Sequence, residues 1–121
     1  MAQAYVTLHI FSGREPPTWS LSPSDTKMLI DLMTSLSPGT QPLPEGQLGY
    51  RGFVVKLADS TSAVSGTLTV YKDIVKYESG NTTKPFSDPE RRVEQLLVIS
   101  AKANLPADLY QTLKEQVGIS L

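Results

Sequence analysis

The side chains best placed to recognise or transform a ligand in this 121-residue chain are two arginines set beside glycines, one tryptophan and one histidine. Arg14 closes Ser12-Gly13-Arg14 just after a strand-like run, where backbone N–H groups and a guanidinium could hold a carboxylate or phosphate. The segment lacks the further glycines and the lysine of a phosphate-binding loop. Pro16-Pro17 follows it, where such a loop would open a helix. A structural turn with an ion pair is the plainer reading of Arg14. Tyr50-Arg51 stands between Gly49 and Gly52, a spacing that fits either a ligand approaching the backbone or a β-bulge with outward side chains.

Trp19 can either cover the end of the helix that follows it or stand open as an interface anchor. His9 is the one side chain expected to titrate near neutral pH. As a catalytic base it would need a serine and an acidic orienter from elsewhere, whereas a satisfied strand histidine needs nothing further. With no cysteine and a single histidine, thiolate zinc sites, thiol nucleophiles, disulfides and a multi-histidine metal site are excluded within one chain. No carboxylate pair stands out as a general acid and base, and no cofactor is expected. Arg91, Arg92 and Glu94 read as a solvated helix face with ion pairs of small value.

Eleven basic against twelve acidic residues leave a net charge of −1, so no global field draws the chain to nucleic acid or an anionic bilayer. An apolar content of 40% with 19% charged residues is that of a packed fold. The length suits a single domain over residues 1–121. No apolar run approaches the roughly 18 residues of a membrane span. No signal peptide is indicated, and cytoplasm is the expected location.

The elements that must position these residues follow from periodicity and breakers. Residues 5–11 alternate Val6, Leu8 and Ile10 against Tyr5, Thr7, His9 and Phe11, which predicts a strand. Pro16-Pro17 then imposes a stiff, exposed connection. Ser22 as N-cap, Pro23 at the first helical position and Asp25 in the first turn predict a helix start. Its apolar stripe is Met28, Leu29, Leu32, Met33 and Leu36. A surface loop runs from Ser37 through Gln47.

Strands follow at 48–57, with Phe53, Val55 and Leu57 facing together, and at 66–71, with Leu68 and Val70 inward. Lys72-Asp73 turns the chain into a strand at 74–78, and Ser79-Gly80-Asn81 with Lys84-Pro85 should end the pairing. Ser87 and Glu90 form a candidate capping box for a helix carrying Val93, Leu96, Leu97, Ser100, Ala101 and Asn104. After Pro106, the spacing of Leu109, Leu113 and Val117 predicts a last helix closed by Gly118. The expected fold is α+β, a mostly antiparallel sheet of about four strands in the order β-α-β-β-β-α-α, with helices on one face.

The run Ile10-Phe11-Ser12-Gly13-Arg14-Glu15-Pro16-Pro17-Thr18-Trp19 and the later Leu48-Gly49-Tyr50-Arg51-Gly52-Phe53 resemble small uncharacterised proteins that share an FSGR-x-x-P-x-W segment and an LGYRG segment. Glu15-Pro16 departs from the Pro-Asn of the commoner form. The resemblance implies no activity. It directs attention to Arg14, Trp19, Tyr50 and Arg51 as one cluster, which would assemble if the strands at 5–11 and 48–57 lie side by side.

Three functions fit these residues. The first is a binding or interaction module whose ligand-binding residues are Arg14, Trp19, Tyr50 and Arg51, recognising a protein segment or a small anionic ligand. The second is a small enzyme that holds an acidic substrate with arginine and moves a proton through His9 or a tyrosine. The third is a homodimeric structural subunit pairing through an exposed edge, either the strand at 5–11 or that at 74–78.

Overall fold

The computed structural model describes residues 2–10, 15–39, 51–59 and 65–118. Ten elements succeed one another: β1 (Ala2–His9), β2 (Thr18–Ser20), α1 (Pro23–Ser35), β3 (Ser37–Pro38), β4 (Gly52–Asp59), β5 (Ser65–Tyr71), β6 (Ile74–Ser79), β7 (Thr82–Ser87), α2 (Arg92–Ala101) and α3 (Ala107–Val117). The described strands form one antiparallel sheet in the order β2-β1-β4-β5-β6-β7-β3.

The α+β class and its helices stand, but the expected four-stranded sheet is corrected to seven strands. Two of the extra strands, β2 and β3, have three and two residues, too few for an alternation to show in sequence. The third, β7, was hidden by Pro85, which looks like a breaker. Within a strand, a residue's N–H and C=O point to the same side. Pro85 gives its carbonyl to Gly39 N–H at 3.1 Å, so its missing donor lies toward the two-residue β3 edge and β6 loses no bond.

The two strands expected to offer dimer edges are both interior. β1 lies between β2 and β4, and β6 between β5 and β7. Among the described residues the outermost strands are β2 and β3, of three and two residues, and β3 pairs with only the last two residues of β7.

The face alternation is as expected. One row crosses the sheet through Trp19, Val6, Val55, Leu68 and Tyr77, and the next through Leu8, Phe53, Val70, Val75 and Phe86. With Leu29 of α1, Val93 and Leu97 of α2 and Leu113 of α3, these side chains form a single apolar core. Burying each stabilises the fold by roughly 1.5–3 kcal/mol before chain entropy is counted. The opposite face carries Tyr5, Thr7, His9, Lys56, Thr67 and Glu78, all partly or fully exposed.

Ser22 caps α1 as expected, accepting the Asp25 N–H at 3.1 Å. In the stripe of that helix, Leu29 is buried, whereas Met28 turns out to solvent. Helix α2 starts later than the Ser87–Glu90 box implied. It begins at Arg92, and the buried Asp88 takes the Val93 N–H at 2.8 Å. Gly52 has φ +103°, and a Cβ there would sit 2.3 Å from the Val70 carbonyl oxygen, so glycine is required here by the neighbouring strand β5.

Candidate functional site

Strands β1 and β4 do lie side by side, as the clustering of the two motif segments required. Arg14 and Tyr50 fall outside the described residues. Trp19 and Arg51 serve different surroundings. Trp19 is 5% exposed; its indole meets Phe53 edge-on at 6.3 Å, and its N–H donates to Ser100 Oγ at 3.1 Å. Ser100 in turn donates to the Leu97 carbonyl at 2.7 Å. The indole therefore pins β2 to α2 and is enclosed by the core, with no surface for a ligand.

Arg51 is exposed, just ahead of β4, and its N–H donates to the His9 carbonyl at 2.7 Å. His9 is half-buried on the helix-free face of the sheet. Burial holds its pKa below the ordinary imidazole value, and the Arg51 charge lowers it further. At neutral pH His9 is thus an uncharged imidazole beside a guanidinium. Among the described residues no group of three or more His, Cys, Asp or Glu is placed to hold a metal ion.

A concave site that the sequence did not flag lies between α2 and α3. It is a cleft of about 700 Å³. Ile99 and Lys102 line it from the end of α2, and Leu105 from the connection. Ala107, Tyr110, Gln111 and Lys114 line it from α3. The last four recur at i, i+3, i+4 and i+7, so they share one face of α3, offset from the Leu113 and Val117 face that enters the core. That second spacing was the legible signal, masked because Gln111 and Lys114 read as solvated. Ile99 is 55% exposed, and the Lys114 ammonium stands 5.2 Å from the Tyr110 ring centre. Among the described lining residues two are lysines and none carries a carboxylate, while the Glu115 carboxylate stands 3.5 Å from the Gln111 amide of the lining.

Both walls are held firmly. The carbonyls at the end of α2 are already satisfied. Ile99 accepts from Lys102 N–H, Ser100 from the Asn104 side chain, and Ala101 from the Asn104 and Leu105 N–H groups. The far end of α3 is tied by Arg91, whose guanidinium donates to the Val117 carbonyl at 2.7 Å and, through Nε, to Glu94 at 2.9 Å. Glu94 is fully buried and also accepts the Lys72 N–H at 2.7 Å. Arg91 and Lys72 are the two described non-glycine residues with left-handed backbone, at φ 56° and 55°, and one carboxylate holds both. The solvated ion pair expected of Arg91 and Glu94 is instead a buried knot joining the β5–β6 turn, α2 and α3.

None of the described helices is long and apolar enough to cross a membrane. Compared with protein-family models, with curated proteins and with solved structures, the chain finds no match in any of the three.

Proposed function

We propose that this chain is a binding module that recognises a ligand or protein segment carrying negative charge beside apolar surface, with the α2–α3 cleft as its site. The observation that carries this reading is the composition of the cleft: apolar Ile99, Leu105, Ala107 and the Tyr110 ring, with Lys102 and Lys114 and no carboxylate among the described lining residues. An apolar concavity with a few placed polar groups is the usual form of a ligand site. The Arg51–His9 end of the sheet supports a second reading, an enzyme acting on an acidic substrate, because it sets a neutral imidazole beside a guanidinium. The cleft is favoured, as a concave site whose named lining residues all lie among the described residues.

The test is an NMR titration of the Ile99, Leu105 and Ala107 methyl groups with octanoate and with octanol. Octanoate is expected to shift these methyls saturably and octanol far less, and the double substitution K102E/K114E is expected to remove the difference. Equal response to the two probes, or a difference that survives charge reversal, would sink the reading.

A further inference from the structure

Resting on that reading, we infer that the occupant of the cleft is an acidic amphipathic helix of a partner protein. Four features on the two walls select it. The cleft is partly open to solvent, whereas sites for free small ligands bury some 70–90% of the ligand's surface.

The backbone of the walls decides between an extended and a helical segment. Extended peptides gain affinity from main-chain hydrogen bonds to an open strand edge. Here the walls are helical and most of their groups are spent. The α2 carbonyls at Ile99, Ser100 and Ala101 have partners, and from Tyr110 on the α3 amides bond within their own helix, as Tyr110 N–H does to the Pro106 carbonyl at 2.9 Å; the first turn, from Ala107 to Leu109, has no side-chain cap. An extended segment entering the cleft would lose water from its amides and, beyond that turn, gain little in return. A helix brings its backbone already satisfied.

The lining has helical spacing as well. Ala107, Tyr110, Gln111 and Lys114 run along about two turns of α3, roughly 10 Å, with Ile99 and Leu105 across from them. Side chains of a third helix can interdigitate with such rows. The apolar anchors of that helix would meet Ile99, Leu105 and Tyr110. Its carboxylates would meet Lys102, which is exposed, and Lys114, which is partly buried over Tyr110.

The probes are peptides of about 16 residues, long enough for measurable helicity in isolation. One is built from Leu anchors and Glu on an Ala background; a second carries two central prolines; a third has Lys in place of Glu. Fluorescence anisotropy of labelled peptide gives affinity, and the Ile99, Leu105 and Ala107 methyl signals give the site. The Leu/Glu peptide is expected to bind at the cleft. The proline peptide and the K102E/K114E protein should each weaken binding at least tenfold, and the Lys peptide should not bind. A proline peptide that binds as well as the helical one overturns the helix while the cleft reading stands. So does binding of octanoate, or of phosphatidylserine vesicles, without binding of any peptide. If octanoate fails as well, the cleft reading falls with it.

Discussion

The Arg91–Glu94 knot and the cleft between α2 and α3 present opposite uses of charge. In the knot the partly buried Arg91 guanidinium donates to the buried Glu94 and to the Val117 carbonyl at the C-terminal end of α3, and Glu94 also accepts from the Lys72 N–H. Around the cleft, Lys102 at the end of α2 and Lys114 on α3 border apolar surface, with no acid among the described lining residues. The first arrangement spends its charges inside the fold; the second leaves them for something else. Nearby, the exposed Arg92 lies 3.9 Å from the exposed Glu90, and that pair contributes little to either.

The largest expected effect tests the knot. Glu94→Ala leaves the Arg91 guanidinium partly buried without its carboxylate and releases two left-handed backbones at once. Losing one partner of a buried pair costs about 3–5 kcal/mol. Urea unfolding should show that loss, while Glu90→Ala, removing the surface pair, should change stability by about 0.5 kcal/mol or less. Equal effects would mean that the knot is no more than another surface pair.

A smaller effect separates polar ties inside the core from those outside it. Ser100→Ala removes the acceptor of the Trp19 N–H, leaving a buried donor unsatisfied at a cost of about 1–3 kcal/mol. Because Trp19 is the only tryptophan, its emission follows the same unfolding transition and reports the local change directly. Near-neutral stability in the variant would show that the indole N–H finds another acceptor and that β2 is held by packing alone.

How much of this was legible in the sequence follows from where each signal lives. Alternation in 5–11, 48–57 and 66–71 placed Val6, Leu8, Phe53, Val55, Leu68 and Val70 on the core face, because a half-buried strand writes its burial into every second residue. The Ser22 cap and the closing Gly118 were legible for the same local reason. Strands of two or three residues are fixed by pairing with distant partners, so β2 and β3 left no local trace. Trp19 and Ser100 are 81 positions apart in the chain, and nothing in either segment announces the other. Glu94 was misread because a charged residue one helical turn from others is usually solvated. Its burial depends on the β5–β6 turn and on α3, which only the tertiary fold brings over it. The cleft escaped for a related reason, since its lining mixes apolar and charged residues on a face that periodicity assigns to solvent.

The smallest effect concerns the other exposed arginine, Arg51, and asks whether an exposed guanidinium acts on its neighbours at all. His9 is the sole histidine, so its ring resonances titrate without overlap. Its folded pKa lies below the unfolded value of about 6.5. The unfolded chain therefore binds the proton more readily. The stability associated with a neutral His9 is complete above about pH 6.5, declines as pH falls from there toward the folded pKa, and levels off once both states are protonated. His9→Gln should remove that part of the pH dependence. Arg51→Gln should raise the His9 pKa only part of the way, because burial is the larger cause and the arginine the smaller. If Arg51→Gln restores the full unfolded value, an exposed guanidinium governs this end of the sheet as strongly as the buried one governs the knot, and the contrast between enclosed and open charge no longer holds.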